Sequence, residues 1–201
     1  MGSRGRLIVF EGGEASGKST QAARLAADLG AVLTREPGDT DIGARIRDIV
    51  LDPGASAMAP TTEALLMAAD RAQHVAEVIQ PALAIGRDIV TDRYVPSSLA
   101  YQGYGRGLDV EELRRLSATA GAPEPDLVIF LDVPASVAAA RLQGLDRMEA
   151  AGDDFHARVA EGYKKLAAAD PERWVVVDGD GSVDEVAQRV REAVDKWMAL
   201  Q

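Results

Sequence analysis

The 201-residue chain contains no cysteine, which excludes disulfides, thiolate zinc sites and cysteine nucleophiles. Its histidines are His74 and His156 alone, too few for a histidine-rich metal centre. Any metal is therefore expected to be a hard, oxygen-bound ion such as magnesium. Positive charge is also in short supply: 22 Lys and Arg stand against 32 Asp and Glu, a formal net charge of −10. A nucleic-acid surface needs a basic face, so that class of partner is not expected, although a few converging arginines can still build a local site for a small anion. No apolar run approaches the length of a membrane span. The opening MGSRGRLIVF holds only the four apolar residues of LIVF before Glu11, too few for a signal-peptide core, and it lacks the Ser or Thr at position 6 of a myristoylation pattern. The expectation is a cytoplasmic protein with no membrane or nucleic-acid partner.

What the chain does have is length and apolar content for one sizeable core: 47% of residues are hydrophobic and 27% charged. Short runs rich in Val, Ile and Leu at 6–10, 31–34, 88–92, 126–133 and 173–178 read as strands covered on both faces. Between them, helical periodicity predicts helices over 18–29, 41–51, 61–85, 109–120, 135–142, 153–169 and 182–199. Pro81 should kink or restart the 61–85 helix. Near-continuous alternation of strand and helix implies an α/β fold with a five-stranded parallel sheet flanked by helices. With no repeat, linker or compositional break, 1–201 reads as a single domain. The stretch 142–154, with glycines near both ends and charges between, suits a surface flap.

Residues 12–19, GGEASGKS, match G-x-x-x-x-G-K-[ST] between a strand and a helix. Glycines at such a loop let backbone N–H groups curl around phosphate oxygens, and the helix N-terminus adds partial positive charge. Gly12, Gly13, Glu14, Ala15, Ser16, Gly17, Lys18, Ser19 and Thr20 are thus the expected nucleoside triphosphate cradle. Lys18 would reach the terminal phosphates and the Ser19 hydroxyl would ligate magnesium. Glu14 is out of place in this reading, because a carboxylate among phosphates repels them.

Ligands of open parallel sheets bind beyond the carboxyl ends of the strands. Arg35 in TREPG and Arg93 in TDRYVPSS fall at two such ends, and Arg47 and Arg71 lie on helices that would border the same cleft. That is more arginine than one triphosphate needs, which suggests a second phosphate-bearing substrate. Asp92, closing an apolar strand, is the candidate carboxylate for magnesium, with Asp132 as its rival.

These segments, FEGGEASGKST, TREPG, IRDIVLD, LLMAADRAQHV, DRYVPSSLAYQGYGRG, PDLVIFLDV and LDRMEAAGDDFHARVAEGY, resemble the bacterial thymidylate kinases nearly end to end. The resemblance implies a P-loop kinase fold with a short lid, near 142–154, and transfer of the γ-phosphate of ATP to dTMP. Carried over residue by residue, it implies that Glu14 faces the acceptor near the sugar 3′-hydroxyl. Arg35, Arg47 and Arg93 would hold the dTMP phosphate or lie beside it. Arg71 would meet the thymine edge with Ser98 and Gln102 nearby, and Tyr101 would close the space at the sugar 2′ position. Lys18, Arg93 and Arg147 would be catalytic, Arg147 as the lid arginine of members whose cradle lacks one, and Arg141 would lie on the ATP side. A homodimer through helices including 61–85 is also implied. One departure stands out: Met67 occupies the place of a phenylalanine that stacks on thymine, and methionine covers an aromatic face less rigidly. Kinases of another nucleoside monophosphate, such as dUMP or a purine, and a non-enzymatic ATP-binding switch are the alternatives.

Overall fold

The computed structural model describes residues 4–141 and 146–200. Its centre is a five-stranded sheet in the order β2-β3-β1-β4-β5, with every neighbouring pair parallel. The strands are β1 (Leu7–Glu11), β2 (Val32–Arg35), β3 (Ile89–Asp92), β4 (Leu127–Asp132) and β5 (Trp174–Asp178). Alternate side chains of the central strands point to opposite faces. Ile8 and Phe10 pack with α1 (Lys18–Leu29) and α9 (Val183–Met198), whereas Leu7 and Val9 pack with Val75, Ile79 and Leu83. Both faces of the central strands are therefore covered, which accounts for their uninterrupted apolar runs. The outer strands β2 and β5 differ from the expectation of full burial. Leu33 and Val176 are exposed, because an edge strand has a neighbour on one side only and looser cover.

The helix expected over 61–85 is α3 (Pro60–His74), a wider π-helical turn (Val75–Ile79) and α4 (Gln80–Ala84). The Gln80 amide donates to the Val75 carbonyl, so the widening falls directly before Pro81, which has no N–H to give the ladder. Helical structure after β3 went unforeseen. α5 (Val95–Ser98) runs straight into a π-helical stretch over Leu99–Gly105, despite Pro96, Gly103 and Gly105. Proline is tolerated at the start of a helix, and Gly105 is required by packing. A Cβ there would stand 2.6 Å from the Phe155 ring of α8 (Asp153–Ala169).

Glu11 fastens these parts together. It is fully buried at the end of β1 and accepts the backbone N–H groups of Tyr94 and Ser97 at 3.0 and 3.1 Å. Its other oxygen takes the Ser97 hydroxyl at 2.6 Å and the Tyr163 hydroxyl at 2.8 Å. One carboxylate thus joins β1, α5 and α8. Hydrogen bonds to a charged group are each worth about 1.5–3 kcal/mol. Glu11→Ala is expected to cost at least about 3 kcal/mol, or roughly 6–12 °C in Tm for a chain of this size. Glu11→Gln should lose clearly less, because its amide oxygen still accepts both backbone N–H groups while the two hydroxyls turn to accept. Thermal unfolding of both variants checks this, and equal losses would contradict it.

Candidate active site

β1 ends at the centre of the sheet, and the chain leaves it through the glycine-rich loop into α1. Gly12 has φ 151°, and a Cβ there would lie 2.7 Å from the Leu131 carbonyl oxygen, so the loop can pass β4 only as glycine. Ala15 takes the left-handed conformation, φ 52°. Gly17, at φ 91°, precedes α1 and supplies no side-chain cap. The first N–H groups of α1 therefore remain available to an anion, as helix N-termini do. Lys18 folds back across the loop, donating to the Gly13 carbonyl at 2.5 Å and to Ser16 Oγ at 3.2 Å. Burial, and next the Arg93 charge, pull its pKa down to about 8 against the pull of Glu14, Asp92 and Glu11.

A cavity of about 560 Å³ opens over this loop. Its lining brings together the residues from Glu14 to Thr20 with Arg35, Arg47, Asp92, Arg93 and Arg141. Gly12 and Gly13 shape the loop without lining the cavity. Parallel register sets Arg35 opposite Asp92 and Asp92 opposite Phe10, so the strand ends deliver these side chains to one edge. The Ser19 hydroxyl donates to Asp92 Oδ2, while Asp92 Oδ1 is buried with no partner among the described residues. A hydroxyl beside a carboxylate with a spare oxygen is a hard-oxygen donor set suited to magnesium. Asp132, the rival, does not line the cavity. Arg47 sits half-buried, its Nη1 donating to the Pro37 carbonyl at 2.9 Å. Burial lowers its pKa, and the like charge of Arg35 lowers it further. Two guanidinium groups held against each other's repulsion are what a bound anion relieves.

A second, narrower cavity of about 80 Å³ adjoins the first, lined by Met67, Tyr101, Gln102, Ser97 and, from the flap, Asp146 and Met148. Glu14, Arg47 and Arg93 line both cavities. Arg93 is the hub of this partition. Its Nη2 donates to Glu14 Oε1 at 2.7 Å and to the Tyr101 hydroxyl at 3.1 Å. Its Nη1 donates to the Gly12 carbonyl and to Ser97 Oγ, both at 3.2 Å. The Tyr101 hydroxyl in turn donates to Glu14 Oε1 at 2.6 Å. Burial alone would raise the Glu14 pKa, but Arg93, Lys18 and Tyr101 outweigh it and hold the group at about 2. Glu14 is an anion that already has its cation, turned from the loop towards the second cavity.

Other expected residues fall elsewhere. Arg71 is 1% exposed and lines neither cavity. Its Nε donates to Glu36 at 2.9 Å, and its Nη groups reach Ser98 and Ser117 at 3.1 and 3.3 Å. Ser98 is occupied as the acceptor of that bond and lies behind the cavity wall, where Ser97 takes its place. Arg147 is not brought to the cradle. Its guanidinium is buried, with Nη2 2.7 Å from Glu63 and Nε donating to the Val50 carbonyl at 2.7 Å. It lines a separate hollow with Pro53, Met58, Pro60 and Arg106. The paired carboxylate explains the placement, since a buried guanidinium is stable only beside such a partner. Arg141 lines the larger cavity and is anchored by the carbonyls of Gly179 and Gly181 at 3.3 and 3.4 Å. Residues 142–145, the first part of the expected flap, lie outside the described residues. Sequence reasoning passed over Glu36, Ser97, Tyr163 and Glu63. Glu36 and Ser97 stand inside motifs already singled out, but nothing in one sequence says that a glutamate will be buried.

Comparison with known proteins bears on this geometry. The profile of the family described as thymidylate kinase matches residues 10–190. A thymidylate kinase of Cutibacterium acnes is 45% identical over 197 residues, covering 94% of this chain and 96% of its own. One of Leifsonia xyli is 49% identical over 201 residues, 95% of each. Among solved structures, the thymidylate kinase of Ehrlichia chaffeensis superposes with a TM-score of 0.81 at 27% identity, over 95% of this chain and 99% of that one. Matched from the end of β1 into α9, this chain belongs to the thymidylate kinase family.

Proposed function

We propose that this protein transfers the γ-phosphate of ATP to the 5′-phosphate of dTMP, giving ADP and dTDP. The observation that carries the reading is the shared wall: Glu14, Arg47 and Arg93 line both cavities at once. ATP would lie over the loop with its terminal phosphates at Lys18. The dTMP base would enter between Met67 and Gln102, with its sugar against Tyr101 and Glu14 and its phosphate towards Arg47 and Arg93. An oxygen of the dTMP phosphate then attacks the γ-phosphorus as the bond to ADP breaks. A phosphate monoester is already ionised near neutral pH, so positioning and charge neutralisation suffice and no strong base is needed. Ser19 and Asp92 would hold Mg²⁺, which when bound supplies positive charge to the β- and γ-phosphate oxygens. Asp146 and Met148 line the second cavity from the flap, where they would cover a bound base and exclude water.

Arg141 lines the larger, donor cavity, whereas Arg147 lies outside both cavities against Glu63, the carboxylate that also holds Gln102, which divides their roles. Dimerisation is supported by Ile42 and Ile49 of α2 (Asp41–Leu51) and Leu65 of α3, which expose about half their surface; a burial partner for them would be a second copy of this chain. No described helix is long and apolar enough to cross a membrane.

Steady-state turnover with ATP against dTMP, dUMP, dCMP and dGMP tests the assignment. dTMP should lead in kcat/KM, and ATP should be consumed at an appreciable rate only when an acceptor is present. Turnover of ATP without acceptor, or a lead by another monophosphate, would overturn it. The arginines give a second expectation. Arginines that meet the charge of a transferring phosphoryl group are worth about 10³–10⁵ in kcat in well-studied systems. Arg141→Ala should cut kcat at least about tenfold on that scale with little change in the KM for dTMP. Arg147→Ala should instead raise the KM for dTMP and lower Tm. The opposite pattern would mean that the flap turns and brings Arg147 to the phosphates.

A further inference from the structure

Glu63, near the start of α3, is completely buried. Its Oε1 accepts from Gln102 Nε2 at 2.8 Å and from Arg106 Nε at 3.3 Å, and its Oε2 lies 2.7 Å from Arg147 Nη2 and 3.2 Å from Arg106 Nη2. Burial pushes its pKa up, but Gln102, Arg147 and Arg106 more than reverse this and keep the group ionised. An ionised carboxylate can only accept hydrogen bonds. The amide of Gln102 therefore has one permitted orientation at this contact, with NH₂ towards Glu63 and carbonyl oxygen away from it. That oxygen is buried without a partner among the described residues, on a side chain 2% exposed that lines the narrower cavity beside Met67 and Tyr101.

A buried carbonyl oxygen without a donor is costly, and a base entering this cavity can repay it only with an N–H. Thymine carries hydrogen at N3; cytosine presents a lone pair there. We propose that Glu63 is a positioning residue that locks the Gln102 amide with its oxygen towards the acceptor base, and so selects pyrimidines bearing an N3–H over those with an N3 acceptor. This rests on the reading of the narrower cavity as the base site. Glu63 touches no substrate in this arrangement, and acts through Gln102.

The test compares kcat/KM for dTMP and for 5-methyl-dCMP, which differ only in the groups at N3 and C4. Glu63→Gln keeps the shape but lets residue 63 donate, so that Gln102 can turn its NH₂ to the cavity. The dTMP to 5-methyl-dCMP ratio is expected to fall at least about tenfold, mainly through the KM for dTMP, because a site built to pair one hydrogen-bond pattern rejects its inverse strongly. The exchange Glu63→Gln with Gln102→Glu restores an oxygen on the cavity side and should restore most of the ratio. A merely structural role would lower both substrates together and leave the ratio unmoved, which would overturn the proposal. Should Glu63→Gln fail to fold, Gln102→Met leaves Glu63 its two arginines and removes the oxygen. An unchanged ratio in that variant would overturn the proposal equally. If the wild type itself did not favour dTMP, the functional reading would fail. If it did and the variants kept its ratio, only the role of Glu63 would.

Discussion

The contact between Arg93 and Glu14 is the constraint around which the site is arranged. Arg93 follows the last residue of β3 with φ 70°, a conformation that costs a non-glycine residue about 1–3 kcal/mol. The backbone is held there by its N–H to the Phe10 carbonyl at 2.9 Å and by the Thr91 hydroxyl to its own carbonyl at 2.9 Å. That turn aims the guanidinium back across the end of β1, into the glycine-rich loop, where Glu14 receives it. Without the arginine, Glu14 would be a buried anion beside a phosphate cradle. Without Glu14, Arg93 would be a buried cation with only neutral acceptors, among them Gly12, Ser97 and Tyr101, at its guanidinium. The pair fixes a positive charge on the boundary of two cavities, and the neighbouring Tyr101 and Ser97 serve to keep it there.

Stability and function meet at the same place. Glu11 and Glu14 stand three residues apart, yet one holds β1, α5 and α8 together while the other faces a ligand site. Tyr163 belongs to both, since its hydroxyl bonds to Glu11 at 2.8 Å and lies 3.4 Å from Arg93. Its ring stacks on Phe130 with centroids 5.3 Å apart. The charged residues of the site thus rest on an aromatic layer that belongs to the core. This explains how a chain with only 4% aromatic residues can hold several charges nearly out of water: three of its four tyrosines, Tyr94, Tyr101 and Tyr163, are buried against an arginine of this region.

Much of this was legible in the sequence, for identifiable reasons. Strands and long helices announce themselves through periodicity, and the cradle through fixed spacing, because its chemistry admits few residue types. Arg35 and Arg93 were legible because strand ends in a parallel sheet converge, and Arg47 because its helix borders the same cleft. Arg71 and Arg147 show where such reasoning stops. Both are arginines in motif context, but each lies against a buried glutamate, Glu36 or Glu63, and no local pattern tells a guanidinium pointing at a ligand from one satisfied by a carboxylate far away in the chain. The helix through Leu99–Gly105 was hidden for a related reason. Glycines have low helix propensity, so they hide it, whereas Gly105 is there to let α8 approach.

The central claim is that the γ-phosphate passes directly from one cavity to the other across the wall formed by Glu14, Arg47 and Arg93, with no residue of the chain carrying it in between. The most direct measurement uses ATP made chiral at the γ-phosphorus and reads the configuration of the phosphoryl group in dTDP. A single in-line transfer inverts that centre, and inversion is the result the account predicts. Retention would require two successive displacements through a phosphorylated side chain, and would contradict it.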